Sequence, residues 1–134
     1  MSEPPDLLGR VHEFALAALK FYEGLAGTSK AQHAGRQFYR ASSGAESNYR
    51  AAKRGRSTAE FIAKLGVVVE EIDEAVGWLE HMRDGKIASD PALLSEAEQL
   101  RRIFGKSLGT ARLNHRVKEQ RMKEQRAKPR SLVP

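Results

Sequence analysis

The stretch from Thr58 to Met82, TAEFIAKLGVVVEEIDEAVGWLEHM, admits few folds. Phe61, Leu65, Val68, Ile72, Ala75, Leu79 and Met82 follow one another at alternating steps of four and three. That spacing draws one seam along a helix whose axis lies nearly in line with those of its neighbours. Ile62, Val69 and Val76 form a second stripe beside it, widening the apolar face to the breadth of a bundle core. A helix of this kind is marginal alone in water, so the remaining chain must cover it.

Three further segments carry the same period. Asp6 is a candidate N-cap, and Leu7, Leu8, Val11, Phe14, Ala15, Ala18, Leu19, Tyr22 and Leu25 then recur at helical spacing. Gly24 and Gly27-Thr28 stop this first helix, expected over Leu7 to Leu25. The second helix is expected from Ser29 to Lys53, with Ala31, Ala34, Phe38, Ala41, Ala45, Tyr49 and Ala52 on one face. Small residues let a neighbouring backbone come close, which places this helix in the middle of the packing. Ser42-Ser43 and Gly44 mark where it is expected to kink. Arg54-Gly55-Arg56 reads as a turn in which Gly55 can take positive φ. Ser57-Thr58-Ala59-Glu60 then has the spacing of a capping box. The third helix ends at Arg83-Asp84-Gly85, and Asp90-Pro91 starts a fourth. Leu93, Leu94, Ala97, Leu100, Ile103, Phe104, Leu108, Ala111 and His115 line its face. Beyond His115 only Val117 and Met122 remain apolar in a run charged on all sides, which either continues the helix or is disordered. Pro129 ends any helix. The fold class is all-α: an antiparallel up-down-up-down four-helix bundle over residues 1–115, with a basic C-terminal extension over 116–134.

Several kinds of chemistry are excluded or disfavoured. With no cysteine, the chain has no disulfide, no thiolate nucleophile and no cysteine-ligated metal. Di-iron bundles place Glu three residues before His, and here none of the four histidines follows a Glu at that spacing. Ser42, Ser43 and Ser47 have no base nearby in sequence, and Gly55 and Gly85 are lone turn glycines rather than a phosphate loop. Glu70, Glu71, Asp73 and Glu74 form a solvated or subunit-facing helix face, and Trp78 and Tyr49 serve packing or an interface. A non-catalytic protein without cofactor or metal is expected. The start, Met1-Ser-Glu-Pro-Pro, lacks the basic-then-apolar run of a signal peptide, and no apolar run approaches the roughly 20 residues of a membrane span. A cytoplasmic location is therefore expected.

Charge is the remaining signal. The net charge is +6, but it is unevenly spread. Residues 30–56 carry seven basic residues and one acid, residues 57–84 two basic residues and seven acids, and residues 112–134 eight basic residues and two acids. The candidate nucleic-acid-binding residues are Arg36, Arg40, Arg50, Lys53, Arg54 and Arg56 of the second helix and its turn, and Arg112, Arg116, Lys118, Arg121, Lys123 and Arg126 of the extension. Such surfaces attract the phosphate backbone of RNA or DNA without regard to sequence. The alternative is a structural or protein-interaction module in which basic and acidic helices satisfy one another across subunits.

Ser47-Asn48-Tyr49-Arg50-Ala51-Ala52, Arg56-Ser57 and Ala59-Glu60-Phe61-Ile62-Ala63-Lys64-Leu65 resemble the bacterial four-helix bundle proteins known as the 23S rRNA intervening-sequence or S23 family. The resemblance extends from Gly35-Arg36-Gln37 through Trp78-Leu79-Glu80 to Thr110-Ala111-Arg112, and covers the chain from Val11 to Arg112. It implies an antiparallel bundle that assembles as a homopentamer. It also implies kinship with the accessory protein of diversity-generating retroelements, which partners a reverse transcriptase and nucleic acid. The sequence departs from the pattern at Ala51, where Glu would follow Asn-Tyr-Arg, and at Glu46-Ser47, where Gly-Ala would stand. Arg50 or Arg54 thereby loses the carboxylate that the pattern would provide.

Overall fold

The computed structural model describes residues 6–128, which form four helices: α1 Leu7–Glu23, α2 Ser29–Lys53, α3 Thr58–Asp84 and α4 Pro91–Ala127. Each begins at a side-chain cap that satisfies an otherwise orphaned backbone N–H. Asp6 accepts from the Gly9 N–H at 3.0 Å, Thr28 from Ala31 at 3.3 Å, Ser57 from Glu60 at 3.1 Å and Asp90 from Leu93 at 3.0 Å. α1 stops two residues short of the expected Leu25. The Gly24 N–H turns back to the Lys20 and Phe21 carbonyls, and Leu25 leaves the helix to bond the Tyr22 carbonyl.

The apolar stripes are the core. Leu65, Val68, Ile72, Ala75, Val76, Leu79 and Met82 of α3 are buried, as is every stripe residue expected on α2. Phe61, Ile62 and Val69 are half-buried and pack against this core from its margin. Each helix packs on its neighbours in sequence and α1 also meets α4; across the diagonal the backbones stay apart, and α2 reaches α4 through Tyr49 and Phe104, whose ring centroids lie 5.0 Å apart. Contacts run in opposite senses along each pair. His12 bonds Glu46 while Tyr22 stacks on Tyr39, and Asp73 bonds Arg101 while Leu79 and Arg83 share a pocket with Asp90 and Pro91.

The most extensive contact is between α2 and α3, as the small-residue face of α2 implies. At Gly44 a Cβ would stand 2.6 Å from Glu71 Oε2, so α3 reaches over α2 where the latter has no side chain. Gly35 is buried in the same way beneath Leu25 and Tyr22. Ser42-Ser43-Gly44 does not break α2. The buried Ser42 hydroxyl donates to the Phe38 carbonyl at 2.8 Å and Ser43 donates to Arg40 at 3.2 Å, both within the helix. The turn after α2 also differs from expectation: no described glycine takes positive φ. Gly55 is needed for space, because a Cβ would lie 3.1 Å from the Ala52 carbonyl and 3.3 Å from the Phe61 nitrogen.

Leu108 is the last buried residue of α4. From Arg116 to Lys128 every residue is exposed, yet the helix continues to Ala127. Propagating an anchored helix needs no new nucleus, and Arg, Lys, Glu, Gln and Ala are strong helix formers. Pro129 and the rest of the expected extension lie outside the described residues. Among the described residues no helix is long and apolar enough to cross a membrane.

Candidate nucleic-acid interface

All twelve candidate cations are exposed. Arg50 is the one with an internal partner: its guanidinium donates to Glu46 Oε2 at 2.7 Å and 3.1 Å. The same oxygen lies 2.7 Å from His12 Nδ1, joining α1 to α2. The Glu46 side chain is only 17% exposed. Burial alone would raise its pKa, but the hydrogen bonds and charges of Arg50 and His12 outweigh burial and hold it below 4.5. A depressed carboxylate contributes stability above its unfolded pKa and loses it as pH falls through the folded value. Glu46→Gln should therefore cost about 1–2 kcal/mol at neutral pH, with the deficit fading below roughly pH 4.5. Urea titrations of both proteins at pH 7 and pH 3.5 check this.

The other eleven make no ion pair with a described residue. Lys53, Arg54 and Arg56 surround the α2–α3 turn, where Lys53, Arg56, Ser57, Thr58 and Phe61 line a shallow depression of about 490 Å³. The turn sits at the positive end of the α3 macrodipole, which favours anions. Arg112 fixes the register of α4: its Nη2 lies 3.7 Å from where a Gly66 Cβ would stand. From Gly66 back to Thr58 is one length of helix, and from Arg112 forward to Gln120 is the same length, about 12 Å each. The turn and the Arg116–Arg121 part of α4 therefore share one end of the bundle. The structure thus gathers Lys53, Arg54, Arg56, Arg112, Arg116, Lys118 and Arg121 into one basic end. Lys123 and Arg126 continue along the projecting arm. Arg36 and Arg40 stand apart on α2; Arg40 lies more than a dozen residues, or about 20 Å, before the turn. Arg40 also feels Glu71, whose pKa is raised by its burial and by Glu74 and Glu70 against the opposing pull of Arg40.

Two further features of the molecule lay outside the sequence pattern. The Glu46–Arg50 spacing of four residues was the visible half of the first, and only the fold brings His12 to it. The second is a ring cluster in which His33 of α2 and His81 of α3 meet Trp78 edge-on, with centroids 5.7 Å and 5.4 Å away.

No family model matches the sequence, and no curated protein matches it. The chain is similar to the crystal structure of a protein of unknown function from the S23 ribosomal protein family of Bacteroides thetaiotaomicron. The TM-score is 0.70 at 21% identity, over 76% of this chain and 94% of that one. At that identity the likeness concerns architecture: this chain has the all-α four-helix bundle fold of an S23-family protein.

Proposed function

We propose that this chain is an S23-type bundle protein that acts without catalysis, as a cytoplasmic homo-oligomer, and contacts the phosphate backbone of RNA or DNA through its basic end. A pentamer and a reverse-transcriptase partner are what the family resemblance adds. The observation that carries the proposal is the set of eleven exposed arginines and lysines that form no ion pair with a described residue, seven of them at one end of the molecule. Ion pairs that serve only the fold would sit opposite acids, as Arg10 does with Glu96 at 2.8 Å and Arg101 with Asp73 at 3.0 Å. Repetition around a symmetry axis would multiply the potential on one face.

A gel-shift titration with a fluorescent duplex of random sequence tests this. Binding is expected in low salt and should weaken steeply as salt rises, with little dependence on base sequence. An unshifted duplex in low salt would instead favour a structural module, which the acidic character of α3 supports: residues 57–84 carry seven acids and two basic residues.

A further inference from the structure

On its outer side α3 carries a patch that its own chain leaves uncovered. Asp73, Glu74, Gly77, Trp78 and His81 line a shallow depression of about 430 Å³. Trp78 is half-buried, its ring met edge-on by His33 and His81. Glu70 and Glu74 make no ion pair with a described residue. Asp73 has Arg101, but in a pair whose side chains are 68% and 39% exposed and so weakly held. Gly77 stands in mid-helix, and a Cβ there would meet nothing within 4 Å. Its own fold therefore gives no packing reason for a glycine at that place. An aromatic ring beside unpaired carboxylates is the chemistry that receives an ammonium or guanidinium group. A bare backbone beside it lets a helix approach.

The chain also carries a surface of the opposite kind. Residues 112–128 of α4 hold seven basic residues and two acids, against seven acids and two basic residues over 57–84. Among these cations Leu113 and Val117, one turn apart on the same face, are 54% and 41% exposed. The arm cannot reach its own patch. Asp73 is level with Arg101, and α4 runs on unbroken for at least eleven residues, or about 17 Å, before the arm begins at Arg112.

We propose that the α4 arm of one copy docks across the α3 patch of a second copy. Cations of the arm meet Trp78, Glu70 and Glu74, Leu113 and Val117 cover the floor, and Gly77 gives the arm room. In this interface the arm cations face carboxylates, which leaves Lys53, Arg54 and Arg56 of the basic end for phosphate; it is testable without nucleic acid, so the two ideas fail separately.

Trp78 is the only tryptophan, which makes it a reporter. With the full chain, rising protein concentration should shift Trp78 emission to shorter wavelength in step with a rise in sedimentation coefficient. Salt at about 0.5 M should reverse both. Gly77→Gln fills open space and keeps the helical circular dichroism, yet should weaken association at least about tenfold. Glu70→Lys with Glu74→Lys should abolish self-association and recover it on mixing with Arg121→Glu, Lys123→Glu protein. A chain that stays monomeric throughout, a Gly77→Gln protein that associates like the parent, or association that leaves Trp78 emission unchanged would each overturn the proposal.

Discussion

Phe38→Ala is expected to lower the unfolding free energy by about 3–5 kcal/mol. Phe38 is fully buried and meets Phe14 and Phe21 edge-on, with centroids 6.3 Å and 5.7 Å away. The rest of its stripe is alanine: Ala31, Ala34, Ala41, Ala45 and Ala52, with Tyr49 the one other large residue. Alanines cannot swing into a vacated volume, so the cavity would stay open and the cost would fall at the upper part of the range. α1 would suffer most. It is the shortest helix, its contact with α4 is the smallest in the bundle, and Phe38 is the residue on which the buried Phe14 and the half-buried Phe21 of α1 converge. Against a typical domain stability of about 5–15 kcal/mol, a third or more would be lost. Urea denaturation should show a lowered midpoint at similar slope, and amide exchange should be fastest over α1. A loss under about 1 kcal/mol would mean that α1 does not depend on this cluster.

The same alanine stripe explains why so much of the fold was legible in the sequence. A face of small residues at steps of three and four has no use in water, and it specifies close packing on both sides. Helix starts were readable because caps are local: Asp6, Ser57 and Asp90 act within three residues of themselves. Ends were less so. Leu25 continues the apolar period, but nothing local shows that it leaves α1 to cover Gly35. At Gly55 the sequence names the residue but not the reason, since crowding by Ala52 and Phe61 exists only once α3 has turned back. The arm was undecided because a segment charged on all sides has no face to read, and its helicity derives from the anchored part of α4.

The candidate site was legible in its charges and not in its pairings. Twelve cations were nameable from the sequence, but which of them are neutralised depends on distances across helices. Arg50 shows this most clearly. Its carboxylate is Glu46, one turn earlier on the same helix. His12 of α1 adds a second hold that no spacing within α2 could reveal. Arg50 is accordingly the weakest of the twelve candidates for phosphate contact, because releasing it would leave Glu46 half-paired.

Lys53, Arg54 and Arg56 are the strongest, and replacing all three with glutamine is expected to reduce duplex affinity by roughly 10²–10³-fold at ~0.1 M salt. All three are exposed and none is paired within the described residues, so the fold should be unaffected. The size follows from counterion release. Each phosphate contact steepens the dependence of log affinity on log salt by about 0.9, which is roughly eightfold per contact between 1 M and 0.1 M. Three contacts multiply to about 500-fold, and the slope itself should become shallower by about three units. The slope is the more telling quantity, because general loss of stability would lower affinity without changing it. Arg36→Gln with Arg40→Gln provides the internal control. Those residues stand about 20 Å away on α2 with Glu71 nearby, and their loss should change the slope by less than about one unit. If the two variants weaken binding equally, the contact surface is the flank of α2 and not the end of the bundle. If neither changes the slope, the duplex is held by the α4 arm alone, whose Arg116, Lys118 and Arg121 occupy the same end.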